Sequence, residues 1–173
     1  GNFTVSELLP DVPNQTNVLL WDTAAQAYIQ LTKNFLGAWN DDPEVPRGEA
    51  FFVQIPASAG APVDVYLLGD VPGATSYPST STTLVEGFTA LGVPYPVATT
   101  IEASGLNAAI PNNNSVLLWD AVAQGYLQVS KNFLGTWAPA NTVIEPGDGF
   151  FVSLSDPAGA TYNEVVPYSY PDN

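Results

Sequence analysis

The side chains of this sequence best equipped for chemistry are carboxylates. It carries 17 Asp and Glu against three cations, Lys33, Arg47 and Lys131, and has no His and no Cys. Without imidazole or thiol there is no Ser-His-Asp or Cys-His nucleophile, no His/Cys zinc site and no histidine base. Paired carboxylates, as in glycoside hydrolysis, are the acid–base device that remains. Only Asp22 and Asp120 stand at matching places in a repeated stretch. Each follows a Trp where two apolar runs meet, and an Asp there accepts bonds from turn N–H groups. The reading is therefore non-enzymatic, with no catalytic residue, cofactor or metal assigned. The oxygen-rich Asn40-Asp-Asp-Pro-Glu44 lacks the spacing of an EF-hand loop, and the second copy has Ala138-Pro-Ala-Asn-Thr142 in its place. A solvated acidic loop is expected there.

The elements that position these residues are written twice. Residues 18–37 read VLLWDTAAQAYIQLTKNFLG and residues 116–135 read VLLWDAVAQGYLQVSKNFLG, identical at 14 of 20 positions. Apolar alternation predicts a strand over 18–21 ending in a buried Trp, a hairpin connection over 22–26 and a returning strand over 27–32. Gln26 and Tyr28, with Gln124 and Tyr126, lie on one strand face, as an Asp–Gln hydrogen bond covered by Tyr. The Lys-Asn-Phe-Leu-Gly at 33–37 forms a second turn, leading to a strand around Trp39. Further strands are predicted over 51–55 and 150–154, and a last one over 63–68 and about 162–166. Short helical turns are placed over 5–9 and 101–106.

The predicted fold class is all-β: two tandem homologous small β-sandwich or barrel-like domains. Residues 1–73 form the first, 74–83 a Ser/Thr/Pro linker, 84–161 the second and 162–173 a tail. The second copy opens with a strand over 84–96 whose counterpart would precede residue 1, so the first domain lacks its opening strand. The tail repeats part of it, Val166-Pro-Tyr168 echoing Val93-Pro-Tyr95. Glu164, Val165, Val166, Pro167, Tyr168 and Tyr170 are thus candidate assembly residues, able to complete a sheet within the chain or in a neighbour.

Other residues carry narrower expectations. The aromatics Trp21, Trp39, Trp119, Trp137, Tyr28, Tyr126 and Tyr95 suggest core packing, with sugar stacking as the functional alternative and Trp39 and Trp137 its preferred candidates, because loops flank them. Lys33 and Lys131 stand at equivalent positions. A salt bridge is expected for each, and an isopeptide bond to Asn is the rarer alternative. Three sequons make Asn2, Asn14 and Asn113 candidate glycosylation sites.

The run Gly87-Phe-Thr-Ala-Leu-Gly-Val-Pro-Tyr-Pro96, with Val-Leu-Leu-Trp-Asp120, Gln124-Gly-Tyr126, Gly135-Thr-Trp137 and Pro146-Gly-Asp-Gly-Phe-Phe151, resembles small β-sandwich modules of secreted bacterial surface proteins. Phe88 stands where those modules usually carry Trp. The resemblance implies a structural or adhesive part rather than an activity. The groove-and-tail arrangement is also similar in architecture to donor-strand pilins and extracellular fibre subunits.

Charge and composition narrow the partners and the location. A net charge of −14 with no basic patch makes nucleic acid and anionic membranes poor partners. No run approaches the roughly 18 apolar residues of a membrane helix, so no membrane insertion is expected. The absence of Met suggests a removed leader, and localisation at the cell surface or outside the cell follows. Yet 46% of residues are apolar and only 12% charged, which calls for cover by neighbouring molecules or by glycans. The expected function is a subunit that polymerises with copies of itself into a fibre. The alternative is a carbohydrate-binding or adhesin module pair.

Overall fold

The computed structural model describes residues 2–60, 62–66, 81–93 and 95–163. The chain is predominantly β and divides into two compact units, Gly1–Asp70 and Val71–Asn173.

In the first unit, β1 (Phe3–Thr4) leads into the single turn α1 (Val5–Leu8). Thr4 and Glu7 make a capping box that satisfies N–H groups at its start. Three strands follow in one antiparallel sheet: β2 (Asn17–Asp22), β3 (Ala27–Thr32) and, after the short β4 (Glu44–Val45), β5 (Phe51–Gln54). Their order is β3-β2-β5, while β1 pairs with β4. Alternation decides which side chains face inward. Val18, Leu20 and Leu31 pack with Val5, Leu9, Val12 and Val45, and Leu19 and Trp21 point to the opposite face.

The second unit begins with β6 (Ser81–Leu84), β7 (Gly87–Gly92) and β8 (Thr99–Thr100), followed by α2 (Leu106–Ala109). Then come β9 (Asn114–Asp120), β10 (Gly125–Lys131), β11 (Trp137–Ala138), β12 (Val143–Ile144), β13 (Gly149–Leu154) and β14 (Ala160–Asn163). Five of these strands make one antiparallel sheet in the order β11-β10-β9-β13-β7. Two small ladders, β8-β12 and β6-β14, stand beside it. The inner face of the sheet (Leu91, Val116, Leu118, Val129, Phe150, Val152) packs on Leu84 of β6, Leu106 of α2 and Ile144 of β12.

The duplicated stretch folds into the same hairpin in both units. Its register pairs Trp21 with Tyr28 and Trp119 with Tyr126. At the corner, Asp22 Oδ1 accepts from the N–H groups of Ala24 and Ala25, both at 2.9 Å. Asp120 Oδ1 does the same with Val122 at 2.8 Å and Ala123 at 2.9 Å. The Gln side chains also bond within the turn. Gln26 and Gln124 sit in the left-handed region at φ 52°, and their amides donate to Thr23 O and Ala121 O at 2.6 Å.

Several boundaries differ from the sequence reading. Residues 81–83, assigned to the linker, are strand, because Thr161–Asn163 of β14 offers them a ladder. Tyr162 and Asn163 are strand, within the strand expected over about 162–166, and pair in that same ladder; 164–173 lie outside the described residues. The strand expected over 63–68 is not formed at 62–66, and 67–68 lie outside the described residues. Its equivalent in the second unit depends on β6, and the described part of the first unit holds no counterpart of β6. Trp21 and Trp119 are half-buried on the outer face rather than inside.

The two units differ most at the edge of the Phe-Phe-Val strand. β13 is paired on both edges, by β9 and β7. Among the described residues β5 is paired on one edge alone, by β2. Val152 is 0% exposed, whereas its equivalent Val53 is half-buried. Val152→Ala should therefore cost about 2 kcal/mol or more and Val53→Ala clearly less, read by chemical denaturation. Equal costs would contradict the description of an uncovered β5.

Candidate functional site

The Phe-Phe-Val strand places two rows of groups at its margins: main-chain N–H and C=O along the edge, and apolar side chains below. In the second unit both rows are covered, with Phe150 at 3% exposure and Leu154 at 3%. In the first, Phe51, Val53 and Ile55 are half-buried and border the core without closing it. An edge of this kind presents main-chain groups that an added extended segment can pair with.

The second unit shows what cover such a strand takes. β7 lies antiparallel along β13 from Gly87 opposite Leu154 to Gly92 opposite Gly149. The chain then continues, with Val93 N donating to Asp148 O at 3.2 Å. Tyr95 is buried there, beside a cavity of about 100 Å³ that Val93, Ser104, Ile144, Phe150 and Tyr162 also line. The equivalents of Ser104, Ile144 and Phe150 in the first unit are Ser6, Val45 and Phe51. No described residue there stands in for Val93 or Tyr95. The candidate assembly residues, Glu164 to Tyr168 with Tyr170, lie outside the described residues.

The carboxylates prove to be used locally. Asp22 and Asp120 are occupied by the N–H groups of their turns. Asp42 takes Ser6 N at 2.8 Å and Ser6 Oγ at 2.6 Å, fastening the acidic loop to α1. In the second unit the bond runs the other way, Asn141 N donating to Glu102 Oε1 at 2.7 Å. Among the described residues no three His, Cys, Asp or Glu side chains converge to hold a metal ion. No helix among them is long and apolar enough to cross a membrane.

The lysines overturn their expected role. Lys33 and Lys131 are 9% and 8% exposed, and neither meets a carboxylate among the described residues. Lys33 Nζ donates to the carbonyls of Pro10 at 3.0 Å and Val12 at 2.8 Å. Lys131 Nζ donates to those of Asn107 at 2.6 Å and Ile110 at 2.8 Å, and lies 5.7 Å from the Trp137 ring centre. Inward-facing main-chain carbonyls are better satisfied by one ammonium than left bare, which is why a long cation sits here rather than a surface pair. Burial pushes the Lys131 amine below its ordinary value.

Trp137 also departs from its assignment as a sugar-stacking residue. It is 3% exposed, and its Nε1 donates to Asn107 Oδ1 at 2.9 Å, so no ligand can lie on it. Trp39 is half-buried against the core of the first unit. Of the sequon residues, Asn14 is held by its amide bond to Phe35 O at 2.8 Å, and Asn2 bonds Glu44 Oε2 at 3.3 Å. Asn113 is exposed at φ 63°, at the tip before β9.

What sequence reasoning missed is the outer face of each sheet. Trp21 meets Tyr28 edge-on at 4.9 Å, and Tyr28 meets Phe52 at 6.1 Å. Beside them Asn17 Oδ1 accepts from Gln30 Nε2 at 3.1 Å and Thr32 Oγ1 at 2.8 Å. Its Nδ2 donates to Gln54 at 3.1 Å. The period-two pattern Asn17, Leu19, Trp21 carried this signal, since every second residue of a half-buried strand faces out.

No protein-family model, curated protein or solved structure matches the chain.

The Ser6 bonds hold the Asp42 carboxyl below its ordinary value of 3.8. The unfolded chain therefore binds this proton more readily, and the contribution of Asp42 is complete above about pH 5 and lost as pH falls below its ordinary value. Burial of Glu49 raises its carboxyl and works in the opposite sense, so the comparison must be between variants. Wild type should exceed Asp42→Asn in stability at pH 7 by a margin that shrinks toward pH 3. A margin constant with pH in denaturation curves would refute the role given to Asp42.

Proposed function

We propose that this chain is a non-enzymatic extracellular structural subunit that polymerises head to tail into a surface fibre. The C-terminal segment of one copy lies along the open edge of β5 in the next. In this reading the two units are homologous β-sandwich modules of the kind found in secreted bacterial surface proteins, and the first awaits its outermost strand. The single observation that carries it is the contrast between two near-identical strands. Phe150, Val152 and Leu154 are sealed under β7, while Phe51, Val53 and Ile55 are half-covered beside an edge with no described partner.

The composition of the tail supports it as the occupant. Past Asn163, the last residue of β14, come Glu164-Val-Val-Pro-Tyr-Ser-Tyr170. In an extended chain Val166, Tyr168 and Tyr170 share one face and suit the half-covered row beneath β5. Pro167 then falls on the other face, and an added edge strand tolerates a residue without N–H. Val-Pro-Tyr is also the sequence that leaves β7 and buries Tyr95 in the second unit. A donor segment at the C-terminal end of the sequence and an acceptor strand in the first unit of another copy make a heterologous contact, which propagates as an open polymer. Exposed Asn113 is the preferred glycan attachment site of such a surface protein.

Removal of residues 164–173 should convert filaments into monomers in negative-stain images and light scattering. Val166→Asp with Tyr168→Asp should do the same, and a synthetic peptide of residues 162–173 added in excess should arrest growth. Filaments that survive the deletion would rule the reading out. So would a monomeric wild type whose first unit loses stability with the tail, since the edge would then be closed within one chain.

A further inference from the structure

The outer sheet faces combine three properties that together select a ligand. The first is apolar ring surface. In the second unit the row Tyr126, Trp119, Phe151, Phe88 runs across four strands, with centroid separations of 5.1, 6.0 and 5.9 Å between Trp119–Tyr126, Tyr126–Phe151 and Phe88–Phe151. Tyr126 is 43% exposed and Phe88 38%, Trp119 is half-buried, and Phe151 is buried between them at 7%, so it supports the row rather than offering surface. In the first unit Tyr28, Trp21 and Phe52 hold the corresponding places, with Tyr28 at 44% exposure.

The second property is an array of uncharged hydrogen-bonding groups on the same face. The register places Thr32, Asn17 and Gln54 side by side on adjacent strands of the first unit, and Gln30, diagonal to Asn17, joins the row through the Asn17 amide. Their mutual bonds fix their orientation yet use part of their capacity, because each amide has two donors and two acceptor sites. In the second unit Gln128 Nε2 bonds Ser130 Oγ at 3.2 Å, next to Ser115 and Ser153. Along a strand, ring row and amide row stand apart by roughly 7–14 Å at about 3.4 Å per residue, a span that a short run of sugar rings covers.

The third property is the charge. None of the outward strand positions in either sheet is Asp, Glu, Lys or Arg, in a protein of net charge −14. The molecule as a whole repels polyanions, and a cationic chain would find no carboxylate on the face. An apolar protein partner would strand the amide row without partners. A neutral polyhydroxylated chain matches both halves: its C–H faces cover the rings and its hydroxyls meet the amides.

We propose that the outer faces of the two sheets bind uncharged polysaccharide, through Trp21 and Tyr28 with Gln30, and through Trp119 and Tyr126 with Gln128. These faces are separate from the edge of β5, and the second unit's face is complete without any added strand. Binding therefore does not depend on polymerisation.

Isothermal titration calorimetry of the full chain with soluble xylan, galactomannan and hydroxyethylcellulose, with alginate as the anionic control, tests this. Binding to at least one neutral polymer is expected, with none to alginate and less than a twofold change in affinity between 0.1 and 0.5 M salt, since no ion pairs are involved. The variant Trp21→Ala, Tyr28→Ala, Trp119→Ala, Tyr126→Ala should lose at least tenfold in affinity. Gln30→Ala with Gln128→Ala touches only exposed side chains and should weaken binding while leaving the circular dichroism spectrum unchanged. No heat with any of the three neutral polymers, equal binding of alginate, or undiminished affinity in both variants would overturn the proposal.

Discussion

Everything in this molecule turns on the rule that a strand edge must find partners for its main chain. Two strands of nearly the same sequence, Phe51–Gln54 and Gly149–Leu154, occupy the same place beside the duplicated hairpin. Where β7 covers the edge, the side chains below are sealed from water and the core extends through Leu154. Where the described residues offer no such cover, the same side chains border water and the core stops at Val18, Leu20 and Leu31. Burial here is a consequence of pairing rather than of hydrophobicity, since the two sequences are alike. Main-chain hydrogen bonds and apolar burial arrive together or not at all.

The acids, which invite a chemical reading, act mostly as fasteners. Asp22, Asp120 and Asp156 each hold turn N–H groups, Asp148 holds Glu145 N, and Asp42 ties a loop to a helical turn. A chain with few charged residues spends its carboxylates at corners, where they replace the hydrogen bonds that a sharp bend breaks. Its strand faces are left neutral. That division explains how so acidic a protein keeps broad uncharged surfaces.

The hairpin is legible in the sequence because its determinants are local: alternation in Val18 to Asp22, turn chemistry at Asp22, and a repeat that states everything twice. The same holds for the helical turn at Val5. What is not legible depends on distant partners. The run 81–83 reads as linker until β14 pairs with it, and 63–66 reads as strand although no described partner lies beside it. Trp137 reads as a loop residue, but Asn107, thirty positions away, binds its indole N–H. Lys33 and Lys131 read as surface cations because charge is usually solvated. The carbonyls that bind them, of Pro10, Val12, Asn107 and Ile110, lie more than twenty residues upstream. Comparison of the two copies points to the missing opening strand, whereas the paired amide and aromatic faces are hidden in the very alternation that predicts the strands.

The placement of the lysines bears on where the chain can be cut and modified. Enzymes that cut after basic residues need several residues of extended, accessible backbone around the scissile bond. This sequence offers them three addresses, Lys33, Arg47 and Lys131. Two have their ammonium groups drawn inward onto main-chain carbonyls, at the end of a strand in each unit. Cleavage there requires local unfolding first. The same geometry withholds both side-chain amines from acylating reagents and cross-linking enzymes. Lysines kept as internal struts thus tie the chemistry of these two side chains to the opening of the strand ends that carry them.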